Sequence, residues 1–554
     1  MACHSSVRTL FLCVTLCAVA AEGIAQETMP RELVVQDVRF FLRSLEEVHP
    51  DPYSALGGKI EFKRRAQAIL WDVPESGLTA RGIHDLLAPL IAGLGDGHTR
   101  LIAPESGDDE ALYGVLPVRF GVVTDAIYVA LAARGFEDLI GHRLTRVEER
   151  PVDEVRAAAR SLLPAENEFG AGRALARTLM SQRLAGELLG QRPESLRVDL
   201  VSPDGIPSAE RELPYAAADS WTWDLQPAGQ FETEDPDQVG PIRWRLLEPS
   251  GTGYLRLRSI EGREAFEQAR DRSDLPGYVG RYYERYLDAE APAELDRALA
   301  GIPCFTETVV DLLTAMRDRG SDWLIVDVRG NGGGWSSLMK PLYLLAFGRT
   351  YAEYPFPDTW IDSASPAFLE LNGWTAGQLA DEWGAGYDVG DYRFETVGPP
   401  QGDRDWNEYS ASLESLGCGL AARVRSLDGL PIHPVDVIVI TDSGTFSAAF
   451  QLAYTLWRLG ATVVGTPSAQ AGNAFTNVLP IELPNSRIRG SVARSAQLFF
   501  PDDEALGRAL MPDYPVRWRD LERFGFDRDA EVIYALELIS SGSAYQRAPG
   551  GTDE

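Results

Sequence analysis

Lysine is almost missing from this chain. Only Lys59, Lys63 and Lys340 occur, so chemistry that needs a lysine base has few places to find one. Basic residues as a class fall short as well. The 52 Lys and Arg against 82 Asp and Glu leave a formal charge of −30, which argues against nucleic acid or an anionic membrane as partner. Cysteine is scarce: Cys3, Cys13 and Cys17 sit at the N-terminus, and only Cys304 and Cys418 lie beyond it. That pair can form one disulfide in an oxidising compartment or remain two separate buried thiols. No HExxH motif and no cysteine–histidine cluster is present, so neither a metal nor a cofactor is implied. Past the N-terminus no run reaches about 18 apolar residues, the length of a membrane span. No internal repeat is visible.

What is present is a globular composition. At 554 residues and 45% hydrophobic content, the chain has room for about three domains with real cores. Residues 1–25 read as a secretory signal: Arg8 precedes the apolar run 9–20, and Gly23-Ile24-Ala25 fits a small-x-small cleavage site before Gln26. Cys17 lacks the small residue expected before a lipidated cysteine. The mature protein is therefore expected to be exported, periplasmic or extracellular.

The chemistry concentrates in residues 435–460, VDVIVITDSGTFSAAFQLAYTLWRLG. The β-branched run 437–440 predicts a fully buried strand. Thr441-Asp442-Ser443-Gly444 breaks it, and a helical pattern begins at Ser447 with Ala448, Ala449, Leu452, Ala453 and Leu456 near one face. The run 461–464 predicts the next strand. A serine at a helix start lies among unpartnered N–H groups at the positive end of the dipole, which suits a nucleophile whose attack creates an oxyanion. The same position is also a preferred N-cap. A second stretch bears on the choice. WLIVDV at 323–328 predicts another buried strand, followed by Arg329-Gly330-Asn331-Gly332-Gly333-Gly334 and a helical pattern ending near Gly348. Consecutive glycines at such a turn let bare amides face a ligand, or simply make the turn tight. Trp335 follows them, so the Gly-Lys-Ser/Thr of a phosphate loop is absent.

VDVRGNGGG, then TFSAAF about a hundred residues later, then VVGTP, resembles the tail-specific (C-terminal processing) serine proteases, a family that includes the tricorn protease core. The resemblance covers most of the mature chain. It implies an α/β fold with a crotonase-like catalytic core of repeated βα units, preceded by an N-terminal helical region and a small PDZ-like β-rich module. The best-known branch uses a lysine in a Gly-Lys-Gly turn one βα unit after the serine. Here that turn is Ser468-Ala469-Gln470-Ala471-Gly472-Asn473, and no lysine follows Ser447 at all. The departure points to the tricorn-like branch, which resembles Ser-His-Glu. Ser447 would then be the nucleophile, and His98, in Gly95-Asp96-Gly97-His98-Thr99, the base. Glu504 would orient the imidazole, with Asp502 and Asp503 as close alternatives. The oxyanion donors would be the amides of Gly332 or Gly333 and of Ala448. The implied substrate is a polypeptide. The other five histidines have weaker surroundings, His49 and His433 each preceding a proline.

In chain order, residues 27–105 form the helical region that carries His98, with Val34, Val38, Phe41, Leu42 and Leu45 as one amphipathic stripe and 83–94 as another. Residues 106–215 form the PDZ-like module, with strands at 116–122 and 126–130. Within it, 164–192 is helical and arginine-rich, which reads as a solvated face. Residues 216–240 form an acidic, proline-punctuated linker. The catalytic domain spans 241–540, interrupted by an aromatic-rich insertion at 349–434 that reads either as a lid or as a self-packed surface subdomain. A disordered tail, 541–554, ends the chain. Two further readings stay open at this point. One is a non-catalytic binder of a peptide or hydrophobic ligand on the same fold; the other is a serine esterase or amidase.

Overall fold

The computed structural model describes residues 28–104, 113–207, 210–223, 238–272, 274–396, 406–501 and 507–544. Residues 1–27, where the leader and its cleavage site are expected, the acidic residues Asp502, Asp503 and Glu504, the middle of the expected linker and residues 545–554 lie outside them.

Three helices open the described chain: α1 (Arg31–Val48), α2 (Lys59–Asp72) and α3 (Ala80–Gly93). The stripe read from the sequence is the one they bury, with Val34, Val38, Phe41 and Leu45 fully enclosed. Thr79 starts α3 by accepting a hydrogen bond from the Gly82 amide. A two-residue strand, β1 (Arg100–Leu101), follows the His98 turn. Next comes a small antiparallel sheet of β2 (Val118–Val123), β3 (Ala126–Ala132), β4 (Arg143–Val147), β5 (Arg150–Pro151), β6 (Ser195–Val201) and β7 (Arg211–Pro214), ordered β2-β3-β4-β6-β7 with β5 on β4. Helix α4 (Glu168–Met180) packs on it. This helix is not the solvated face its arginines suggested. Phe169 to Gly172, Ala174 to Ala176, Thr178 and Leu179 are all buried. Arg173 and Arg177 occupy one stripe, and the small residues between them let the backbone close on β2, where a Cβ on Gly172 would stand 3.1 Å from Val122.

The central sheet holds β8 (Ile242–Leu247) and β9 (Thr252–Leu257); then, after α5 (Phe305–Arg319), β10 (Trp323–Asp327). Past α6 (Lys340–Phe347), the chain makes β11 (Thr359–Ser363) and β12 (Tyr392–Thr396) of a third sheet before returning with β13 (Asp436–Thr441). Helix α7 (Ala448–Arg458), β14 (Thr462–Gly465), the hairpin β15 (Asn473–Glu482) and β16 (Arg489–Leu498), β17 (Tyr514–Pro515) and α8 (Ala530–Ser540) complete it. The central order is β17-β14-β13-β10-β9-β8, parallel except for β8. The unbroken apolar runs are explained by burial on both faces. Leu324, Val326, Val437 and Val439 join α5, α6 and α7 on one side, while Ile325, Ile438, Ile440 and Val464 join α8 on the other. The 295–319 stretch is long and apolar enough to cross a membrane, and half of it is buried within the protein.

Packing crosses the boundaries drawn from the sequence. The third sheet, β1-β16-β11-β12 with β15 also on β16, takes strands from three distant segments. The N-terminal helices share one core with Leu483, Ile488 and Val492 of the hairpin. The 349–434 insertion keeps a small cluster of its own around Phe368 and Trp383, yet β11 pairs with β16, and Trp406, Leu413 and Leu420 enter the central core. Cys418, from the insertion, is disulfide-bonded to Cys304 at the head of α5.

Asp37 fastens the N-terminal layer. It is fully buried and accepts from the Asn485 amide (2.8 Å), Asn485 Nδ2 (2.9 Å) and the Ser486 amide (2.7 Å) at the hairpin turn. Asp37→Ala strands those donors and should cost about 3 kcal/mol in urea unfolding. A loss below about 0.5 kcal/mol would mean that the layer is held by its apolar contacts alone.

Candidate active site

Strands β10 and β13 are parallel neighbours, paired from Trp323↔Asp436 to Asp327↔Ile440. Their C-terminal ends therefore lie side by side, and the turns that follow them interlock. Asp442 Oδ1 accepts from the Gly330 amide (2.7 Å) and the Gly444 amide (2.9 Å). Thr445 Oγ1 donates to the Val328 carbonyl, and the Phe446 amide to the Asn331 carbonyl. Beneath the glycine turn, buried Asp327 pairs with Arg256 (2.8 Å) and Arg329 (2.7 Å) and accepts from the Tyr254 hydroxyl (2.8 Å). Burial alone would raise the Asp327 carboxyl; the two guanidiniums outweigh it and hold the group well below the carboxylate range.

The turn requires glycine. Gly333 has φ +104°, and a Cβ there would stand 2.7 Å from Ser447 Cβ and 2.9 Å from the Ala448 nitrogen. A Cβ on Gly334 would stand 2.1 Å from the Ile260 carbonyl oxygen. The Gly333 amide, named from the sequence as an oxyanion donor, gives its hydrogen to Asn331 Oδ1 at 2.8 Å. The amides of Gly334 and Ala448 donate to no other group among the described residues, and both residues line the same cleft as Ser447. Gly332 lines the neighbouring cavity.

Ser447 has φ 55° and ψ −127°, a strained conformation for a residue with a Cβ, worth about 1–3 kcal/mol. It precedes α7 at the N-cap position, but its side chain makes no capping bond. Instead Oγ lies 3.1 Å from Nε2 of His98, and the Ser447 amide is held by Gln470 Oε1 at 2.5 Å. Gln470 comes from the loop after β14, so three consecutive strand ends supply the site. His98 arrives from the other half of the molecule. Asp96 shapes its turn, accepting from the amides of His98 (2.7 Å) and Thr99 (3.0 Å). Ser491 Oγ donates to the His98 carbonyl, and β1 then pairs with β16 at Ser491 and Gly490. Burial lowers the imidazole below its ordinary value; the charge of Asp96 opposes this, and Arg100 adds to it.

Around Nδ1 of His98 stand Asp96 Oδ1 at 3.8 Å and Glu166 Oε1 at 3.9 Å. Burial raises Asp96, but the neighbouring His49 (Nε2 3.3 Å from Oδ2) and then His98 bring it below its ordinary value. Glu166 behaves oppositely: burial, then Asp96, push it up to about 8. Its carboxyl clamps two loops, accepting from the Gly97 amide (3.1 Å) and the Ala471 amide (2.9 Å). Next to it, Asn167 caps α4 and donates to the carbonyls of Ser468 and Gln470. The acids named from the sequence, Glu504 with Asp502 and Asp503, lie outside the described residues; Gly507, just beyond them, packs against Glu166. Asp96, His98 and Glu166 could offer a cation one atom each within 4.8 Å. Their carboxylate oxygens, however, are already engaged by backbone amides, a set that suits an oriented imidazole better than a metal.

Sequence reasoning brought Ser447, His98, Ala448 and the glycine turn forward, and they do meet. It passed over His49, Asp96, Glu166 and Gln470. The Asp-x-His-Thr pattern of an Asx turn was a local signal for Asp96. Glu166 had none, since its contacts lie 69 and 305 residues away.

The serine and histidine face a cleft of about 680 Å³ whose walls include Trp335, Trp360 from the insertion, and Asn477 and Val478 of β15. No protein-family model matches the sequence, and no curated protein matches it. Solved structures do. Mature CPAF is 16% identical, with 93% of this chain and 99% of that chain covered and a TM-score of 0.52. A serine-to-alanine mutant of CPAF is likewise 16% identical, covering 95% and 99% with a TM-score of 0.52. The photosystem II D1 C-terminal processing protease is 12% identical, covering 89% and 95% with a TM-score of 0.38. Proteases stand among the structural neighbours of this chain, and it shares the fold of mature CPAF over nearly its whole length.

Proposed function

We propose that the protein is a serine endopeptidase that cleaves polypeptides through an acyl-enzyme on Ser447. The observation that carries this is the 3.1 Å approach of His98 Nε2 to Ser447 Oγ, with the serine on a strained elbow beside the glycine turn. In this reading Oγ attacks the scissile carbonyl while its proton passes to Nε2. The oxyanion faces the Ala448 amide together with that of Gly334 or Gly332. The imidazolium returns the proton to the departing amine as the C–N bond breaks. Water then hydrolyses the ester by the same route and regenerates Ser447.

The finer architecture belongs to the same proposal. The βα repeat through β9, β10, β13 and β14 supports a crotonase-like core, and the antiparallel sheet with α4 supports a PDZ-like module. Glu504 is kept as the acid that orients His98, with Asp96 and Glu166 as the nearest carboxyls in the described structure.

A fluorophosphonate should label Ser447 and neither Ser443 nor Ser336. His98→Ala should abolish peptide turnover while leaving substrate binding, and Lys340→Ala should leave most activity. A dead Lys340→Ala with an active His98→Ala would overturn the assignment.

The pH profile follows from the shifts. His98 must be neutral to accept a proton, and its ionisation is lowered, so the acid limb of kcat/KM should fall below about 6.5. Glu166 loses its proton near 8 and then adds a negative charge beside Nδ1, which favours the imidazolium. A second rise near pH 8 should appear and should vanish in Glu166→Gln; an identical profile in that variant would remove Glu166 from the site's electrostatics.

Gly333→Val places atoms where Ser447 and the Ala448 amide stand. It should lower kcat by about a hundredfold, with far-UV circular dichroism unchanged. An unaltered kcat would show that the turn tolerates displacement and is not part of the oxyanion site.

A further inference from the structure

Two of the buried nitrogens that find no hydrogen-bond partner among the described residues face the same carboxylate. They are His49 Nε2, 3.3 Å from Asp96 Oδ2, and His98 Nδ1, 3.8 Å from Asp96 Oδ1. The His49 side chain is wholly enclosed. Its amide donates to the Leu45 carbonyl as α1 ends, and its ring lies 4.3 Å from that of Phe475 on β15. The loop that follows decides which ring nitrogen carries hydrogen. Pro50 has none on its backbone nitrogen, so the next N–H in the chain is that of Asp51, and it donates to His49 Nδ1 at 3.1 Å. The loop is fixed from two sides. Asp51 Oδ1 accepts from the amides of Tyr53 and Ser54 at 3.0 Å each, and the Tyr392 hydroxyl of β12 donates to the Pro50 carbonyl at 2.7 Å. A ring nitrogen that accepts a hydrogen bond has no hydrogen of its own, which leaves the His49 hydrogen on Nε2, the atom beside Asp96.

We infer that His49 is a positioning residue for His98, acting through Asp96: its Nε2–H holds the carboxylate, and with it the negative charge, beside Nδ1 of the proposed base. An ionised carboxylate offers about four acceptor positions. The amides of His98 (2.7 Å) and Thr99 (3.0 Å) take two at Asp96, which leaves places for both imidazoles. Without a donor at Oδ2 the buried carboxylate loses a partner that offsets its desolvation, and the turn that carries His98 loses its fixed charge. The 3.3 Å separation is long for such a bond, as contacts around a base often are before charge develops. The role is the same with Glu504 as the acid at Nδ1, because Asp96 then still shapes the turn and opposes the imidazolium. The inference rests on the peptidase reading of Ser447 and His98, and the test keeps the two apart.

Fluorophosphonate labelling of Ser447 measures the activation of the serine without a known substrate, as a maximal rate and a reagent affinity. His49→Phe keeps a ring to stack on Phe475 but has no N–H; His49→Gln returns an N–H near the Nε2 position. His49→Phe should lower the maximal rate about tenfold or more with reagent affinity unchanged, and His49→Gln should restore most of it. In an Asp96→Asn background His49→Phe should add no further loss, because the charge it serves is gone. Equal rates in the Phe, Gln and unmodified proteins would reduce His49 to a packing residue and overturn the inference. Equal losses in the Phe and Gln variants, or losses that multiply with Asp96→Asn, would overturn it as well. Should His49→Phe not fold, the tautomer of His49 decides, read from side-chain nitrogen NMR shifts of the histidine-labelled protein and assigned with His49→Gln. Hydrogen on Nε2 sustains the inference, and hydrogen on Nδ1 overturns it. If Ser447 of the unmodified protein takes no label, the peptidase proposal falls, and the same tautomer shows whether His49 still holds Asp96.

Discussion

Ser447 and His98 are 349 residues apart in the chain and 3.1 Å apart in space. The docking of β1 onto β16 is the constraint behind that contact. Strand β16 carries β15 on one edge, and on the other β1 at Gly490 and Ser491 and β11 at 495–498. The N-terminal helices therefore act as a wall of the candidate site rather than an appended domain, with Asp37 and the shared Leu483–Val492 core holding them in register. Catalytic geometry tolerates misplacement of well under 1 Å, so the base of the proposed mechanism, coming from so distant a segment, needs a joint of this stiffness. The Thr99 hydroxyl, accepting from the Ala493 amide at 3.0 Å, extends the pairing to the residue next to the histidine.

The opposite half of the site is built locally, and this difference decided what could be read beforehand. A parallel strand buried on both faces leaves an unbroken apolar run, and its C-terminal turn announces itself by Gly, Asp and Ser. Ser447 and the glycines were legible because strand, turn and helix lie within about 25 residues of one another. The engagement of the Gly333 amide was not legible, since it depends on Asn331 folding back onto its own turn. Helix α4 was misread because its arginines weighed more in composition than the Gly-Ala spacing that lets it bury. Glu166 and Gln470 had no pattern to betray them; each acts through a contact that only the tertiary fold creates. His49 looked like a histidine before a proline, and its place 3.3 Å from Asp96 comes from α1 ending beside the His98 turn.

The insertion shows the same limit from another side. Its aromatic residues suggested a separate body, and Phe368 and Trp383 do form one. Yet β11 completes the sheet behind the cleft and brings Trp360 to the site, while Cys418 ties its far end to α5. Hydrophobic content says that a segment will pack, but not against which neighbour.

Gln470 stands in the loop where the lysine-dependent branch of the resembled family carries its base. An amide side chain cannot take a proton from Oγ, and here it holds the Ser447 backbone instead. The burden of charge shifts to the other side of the serine. There Asp96 is held ionised and Glu166 protonated, as two close, buried carboxyls cannot both be charged at little cost. The two carboxyls around Nδ1 of His98 thus share one negative charge beside an imidazole whose ionisation burial lowers. When the imidazole takes the serine proton it becomes a cation 3.8 Å from Asp96, so the proposed step gathers opposite charges together instead of creating an isolated one in a buried site. A lysine in place of Gln470 would bring an ammonium beside the same serine, where its charge would oppose the imidazolium of the proposed step.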